Sequence, residues 1–166
     1  MNNSEQYYQP VLEALSAFVR EGAKLPTTPP APGLPTHGPP TDIQAALTVI
    51  ERRPGPHGRV DLTEVNIAGA DLTGGERSYA NLSNATLSYA NLRDVELTGA
   101  TVREANLSRA KMLKANLSGA NLTGANLSGA DLSHATLDGQ KQLDEACGLD
   151  AVLPPGLTLK PCPPRP

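Results

Sequence analysis

Few groups in this chain have types and spacing that suggest reaction chemistry. Asp131, Ser133 and His134 come nearest to an orienting carboxylate, a nucleophile and a base. They occupy adjacent and alternate positions of a short repeat, whose side chains point in divergent directions, so they are not expected to converge as a triad. The other two histidines, His37 and His57, fall in Pro- and Gly-rich stretches. No phosphate-cradling loop, metal-spaced histidine pair or nucleophile elbow occurs. The expectation is a protein that is not an enzyme and holds no metal and no cofactor.

Cys147 and Cys162 form the remaining reactive pair, with fourteen residues between them. A disulfide there would staple the C-terminal region and contribute about 3 kcal/mol by restricting the unfolded chain. Reduced thiols are the default in the cytosol, so bridged and packed cysteines both stay open. Two cysteines alone do not make a zinc site. What remains is binding chemistry, and the candidates are Arg93, Arg109, Lys111, Leu113 and Lys114. Whether they share a surface depends on the element that carries them.

That element is a run of sixteen five-residue blocks, 60–139, without insertion or deletion. The first residue of each block is small: twelve Ala, three Val and one Gly. The third is Leu62, Ile67, Leu72, Arg77, Leu82, Leu87, Leu92, Leu97, Val102, Leu107, Met112, Leu117, Leu122, Leu127, Leu132 and Leu137. A helix would need apolar residues at i, i+3, i+4 and i+7, which this period does not supply. A very short strand does fit: first and third positions share a face, and Ser, Thr and Gly at the fourth and fifth turn the chain. Small and large residues alternate inward, so a narrow interior fills. Asn or Asp before the large residue satisfies backbone donors at the corner. Strict short repeats of this kind stack into a solenoid that works through its surface.

The blocks Ala115-Asn116-Leu117-Ser118-Gly119, Ala120-Asn121-Leu122-Thr123-Gly124 and Ala125-Asn126-Leu127-Ser128-Gly129 resemble the pentapeptide-repeat family. The resemblance implies an all-β solenoid, a right-handed quadrilateral β-helix with four blocks per coil and hence about four coils. The flanks, a helical segment before the repeats and an LDEACG then LPPGLTLKPC tail after them, resemble those of many bacterial members. Some members mimic DNA and bind DNA gyrase, giving quinolone resistance. That function needs a long, strongly acidic rod and usually a dimer. Here the repeats hold nine Asp and Glu against six Lys and Arg. Four coils at ~4.8 Å give a rod of only about 20 Å.

All sixteen prolines lie outside the repeats and mark the expected divisions. These are an N-terminal helix over 1–22, a Pro-rich linker over 23–40, a capping helix over 41–53, the β-helix over 60–139 and a C-terminal cap and tail over 140–166. Tyr8, Val11, Leu12, Leu15, Phe18 and Val19 make one apolar stripe; Ile43, Ala46, Leu47 and Ile50 make a second. Thr41 with Gln44 reads as a capping box, and 142–147 reads as a short helix ended by Gly148. A β-solenoid exposes unpaired edges at both ends, so the helices and the tail are expected to close them and keep the chain monomeric. Leu143 and Ala146 are expected to sit on the last coil.

Formal net charge is −3 and aromatic residues are 3%. No charge excess calls for direct nucleic-acid binding, and no apolar run is long enough to span a membrane. The N-terminal residues carry no basic region followed by an apolar run, so a cytoplasmic location is expected. Arg77 is the one charged residue in the inward register; it is expected to turn outward or to pair with Glu76 or Glu96. Stacking at twenty residues per coil puts Asp71, Asn91, Lys111 and Asp131 in one column, beside Thr73, Arg93, Leu113 and Ser133, then Gly74, Asp94, Lys114 and His134. Arg109 stands at the adjoining corner. This most charged and least regular face is the expected surface for an unknown protein partner. Tyr79 and Tyr89 are corner aromatics, open either to anchoring a partner or to packing over a neighbouring corner. The expected role is that of a noncatalytic scaffold, with gyrase binding and a partnerless structural domain as alternatives.

Overall fold

The computed structural model describes residues 5–24, 38–51, 60–75 and 79–163. Arg77, Glu76, His37, His57 and most of the Pro-rich linker lie outside the described residues.

The repeats form a β-solenoid of very short strands. Parallel bridges join residues twenty apart in four columns. The first face carries Asp61, Asn81, Thr101 and Asn121; the second carries Asn66, Thr86, Asn106 and Asn126; the third carries Asp71, Asn91, Lys111 and Asp131; the fourth carries Glu96, Asn116 and Thr136. Each rung is a pair of backbone bonds: Leu82 N donates to Thr101 O at 2.7 Å, and Thr101 N to Ala80 O at 2.8 Å. First- and third-position side chains fill the interior, and the ladder from Leu62 to Leu132 is buried at every described position. Leu137 is only half-buried, because no rung covers Thr136 above it among the described residues.

The corners explain the rest of the block. Every described fifth residue from Glu64 to His134 has positive φ. Where it is not Gly, that conformation costs about 1–2 kcal/mol, offset by the ladder bond its N–H makes, as Arg109 N does to Ser128 O at 2.8 Å. The second residue braces the turn. Asn81 Oδ1 accepts from Ser83 N at 3.2 Å and from Ser83 Oγ at 2.8 Å, and Asn116 and Asn126 do the same. At the fourth face Glu96 takes the Asn role, accepting from the N–H and hydroxyl of Thr98.

Two helices cover the start of the solenoid. Helix α1 spans Glu5–Gly22 and α2 spans Thr41–Glu51, and the two pack together. Arg20 Nη1 donates to Asp61 O at 3.1 Å and to Asp61 Oδ2 at 2.6 Å. Asn66 N donates to Ala23 O at 2.6 Å. Gln44 serves the third face: its Nε2 donates to Asp71 O, and Asp71 N donates to its Oε1. Gln44 thus makes no capping box with Thr41. The open rung offers a donor and an acceptor side by side, which an amide matches better than a single helix N–H. The stripe on α1 also divides. Leu12, Val19 and the unexpected Ser16 are buried, while Val11 and Phe18 stay 54% and 47% exposed. The stripe on α2 is buried throughout.

At the other end α3 is Gln140–Leu143, earlier and shorter than the sequence suggests. The expected helix stops because residues 146–148 continue the ladder instead. Cys147 bridges Asn126 and Val152 bridges Asp131, at a spacing of 21 in place of 20. Gly148 is needed there: a Cβ would meet the Leu127 carbonyl carbon at 2.9 Å and Ser128 N at 3.0 Å. Leu143 and Ala146 are buried in the core. The chain then returns to set Lys160 on Cys147, with Gly148 N donating to Lys160 O at 2.8 Å. Cys147 and Cys162 are joined by a disulfide with a Cα–Cα distance of 4.7 Å. Leu153, Leu157 and Leu159 pack, partly buried, against the same core. No helix among the described residues is long and apolar enough to cross a membrane.

Candidate functional site

The third face owes its geometry to the ladder. Lys111 N donates to Ala90 O at 2.9 Å and its carbonyl accepts from Leu92 N at 2.7 Å, which points the lysine side chain outward. Leu113 O accepts from Asp94 N, and Lys114 N donates to Ser133 O, both at 3.0 Å. Lys114 holds the left-handed corner conformation at φ 58°, so it projects from an edge of the face. Arg93, one coil earlier, stands beneath Leu113. Arg93, Lys111 and Lys114 are exposed, and Leu113 is half-buried among them.

The charges on this face are not equally engaged. Asp131 accepts from Ser133 N at 3.0 Å and from Ser133 Oγ at 2.5 Å. Those two bonds hold its carboxyl below the ordinary carboxylate value, with smaller help from the charges of Arg93 and His134. Asp71 accepts from Thr73 Oγ1 at 2.6 Å and from Asn91 Nδ2 at 3.2 Å. By contrast, the side chains of Arg93, Lys111 and Lys114 make no hydrogen bond or ion pair among the described residues. Asn91 departs from its counterparts: its amide turns to Asp71, and its buried Oδ1 has no hydrogen-bond partner among the described residues.

Of the five residues singled out from sequence, the fold brings Arg93, Lys111, Leu113 and Lys114 together. Arg109 is engaged elsewhere. It donates from Nη1 to Tyr89 Oη at 2.7 Å and lies 5.4 Å from the Tyr89 ring centre, which makes it a brace between adjacent coils at the corner. Tyr79 covers its own neighbouring corner, where a Cβ on Gly99 would meet the ring at 2.7 Å. Val152 extends the Asp71 column and is exposed. Its place was hidden because the tail has no five-residue period. Ser133 gives its hydroxyl proton to Asp131, and no hydrogen bond joins either residue to His134 among the described residues.

A family model described as pentapeptide repeats matches residues 78–112 and 103–139, with eight copies. Among solved structures, the chain is similar to the pentapeptide repeat protein Rfr23 from the cyanobacterium Cyanothece 51142, at 33% identity over 65% of this chain and 67% of that one, with a TM-score of 0.47. It is similar to alr5209, a pentapeptide repeat protein from Nostoc Pcc 7120, at 34% identity over 61% of this chain and 86% of that one, with a TM-score of 0.48. QnrB1, a plasmid-mediated fluoroquinolone resistance protein, matches at 19% identity over 62% of this chain and 56% of its own, with a TM-score of 0.40. No curated protein matches the chain.

Proposed function

We propose, for a chain that belongs to the pentapeptide-repeat family, a noncatalytic scaffold that binds a protein partner through the third face of its β-helix. The helix is right-handed and has four coils over 60–139. Residues 1–22 and 41–53 close its first coil, joined by the linker 23–40, and 140–166 close its last. The chain acts as a cytoplasmic monomer.

One observation carries this reading. Among the described residues, Lys111 and Lys114 project without ion-pair partners beside a half-buried Leu113, on a surface whose backbone is fixed by the ladder on both sides. A rigid array loses little entropy on binding, which favours recognition by surface. The test is affinity capture from the source cell with the intact chain and with K111E/K114E. A partner retained by the first and lost by the second is expected. Equal capture by both would overturn the reading.

A further inference from the structure

Asp71 and Asp131, at the two ends of the Lys111 column within the repeats, accept hydrogen bonds from within the face, while the side chains of its cations make none among the described residues. Asp71 and Asp131 each bond a neighbouring hydroxyl on their own turn. Asp131 is further held in its charged form by Arg93 and His134. Arg93, Lys111 and Lys114 keep their donors free of partners among the described residues. They flank Leu113 from three sides, on rungs separated by about 4.8 Å. A second apolar side chain, Val152, lies at the end of the Lys111 column and is 55% exposed. Asp94, exposed at the corner below Lys114, bounds the patch.

We infer that this face receives an acidic peptide segment, with an apolar side chain seated on Leu113 and carboxylates meeting Arg93, Lys111 and Lys114. The inference rests on the scaffold reading and specifies its partner. Charge complementarity selects the occupant: unpaired cations around an apolar centre match carboxylates around an apolar residue. A nucleic acid fits less well. Among the described residues the patch offers no aromatic side chain for base stacking, since Tyr89 is held by Arg109 at the corner. The whole chain is also net negative, at −3.

The probe is a labelled glutamate-rich peptide carrying a single leucine, titrated into the full chain at low and high salt. A lysine-rich peptide with the same leucine and a single-stranded oligonucleotide of matched charge serve as comparisons. Binding of the acidic peptide, weakened by salt, is expected. K111E/K114E should reduce it about tenfold or more. Leu113→Ala should reduce it as well, and Arg103→Glu, on the first face, should leave it unchanged. No binding by the intact chain, equal binding by K111E/K114E, or tighter binding of the oligonucleotide would overturn the inference. A partner captured from cells through Lys111 and Lys114 that offers no acidic segment would overturn it too, while leaving the scaffold reading in place.

Discussion

The side chain of Gln44 completes the backbone of Asp71: Nε2 donates to its carbonyl at 2.8 Å, and Oε1 accepts from its N–H at 3.0 Å. A single amide thus stands in for the missing rung on the third face of the first coil. Gln44→Ala is expected to lower stability by about 1–2 kcal/mol. Gln44→Glu should do more harm although it is nearly isosteric, because a carboxylate oxygen would face the Asp71 carbonyl. Denaturant melts of the two variants check the order. Equal stability of all three proteins would remove Gln44 from the cap.

Leu107 lies in the buried ladder, between Leu87 and Leu127 on the second face. Leu107→Ala should cost about 2–5 kcal/mol, as cavities in packed cores do. A cost under about half a kcal/mol would contradict an interior position. Far-UV circular dichroism of residues 60–139 should lack a dominant helical signal.

The tail covers the last coil through Leu143, Ala146 and the rung at Cys147. Deleting residues 140–166 is expected to convert a monomer into dimers or larger stacks, read by light scattering, because the uncovered edge offers unpaired donors and acceptors. Reducing the Cys147–Cys162 bridge in the intact chain should lower stability by about 3 kcal/mol. A truncated chain that stays monomeric with an unchanged Tm would show that the tail is no cap.

The carboxyl of Asp131 titrates lower in the folded chain than in the unfolded one. Its contribution is therefore complete above the ordinary carboxylate value of about 4 and is lost as pH falls through the lower folded value. Asp131→Asn keeps the turn, as Asn116 and Asn126 do in theirs. The native chain should exceed it by about a few tenths of a kcal/mol at neutral pH, since the site is solvated. The difference should vanish in acid. A difference that instead grows below about pH 4 would contradict the sign.

In a purified supercoiling assay, micromolar protein should leave DNA gyrase active and unprotected from quinolones. The mixed charges of the third face, with Lys111 and Lys114 at its centre, are the reason. Stoichiometric inhibition would put the gyrase reading first.

The inward register was legible because burial repeats with the block: Leu62 and Leu132 obey one rule seventy residues apart. The outward face of Lys111 was legible once twenty residues made a coil. Gln44 was not, since its partner lies 27 residues away and its local pattern matches a helix cap equally well. Val152 and Lys160 were not, because one inserted residue and a shortened return break the period that identified everything before them. The exposure of Phe18 was not legible for a simpler reason. Helical spacing says which residues share a stripe, but not how wide a strip the solenoid end can cover.

The ladder makes the rod a screw with an indivisible pitch. Within the repeats each rung pairs with the rung twenty residues away, so losing one whole coil would shorten the molecule and leave every surviving face in line with the caps. Losing one five-residue block would preserve the core just as well. It would also turn everything beyond the cut by a quarter, carrying Lys111 and Lys114 round to a side that Gln44 and Asp71 do not define. In this fold the orientation of a surface relative to the ends is counted in blocks, and a length change that is harmless to folding can still misdirect what the molecule presents.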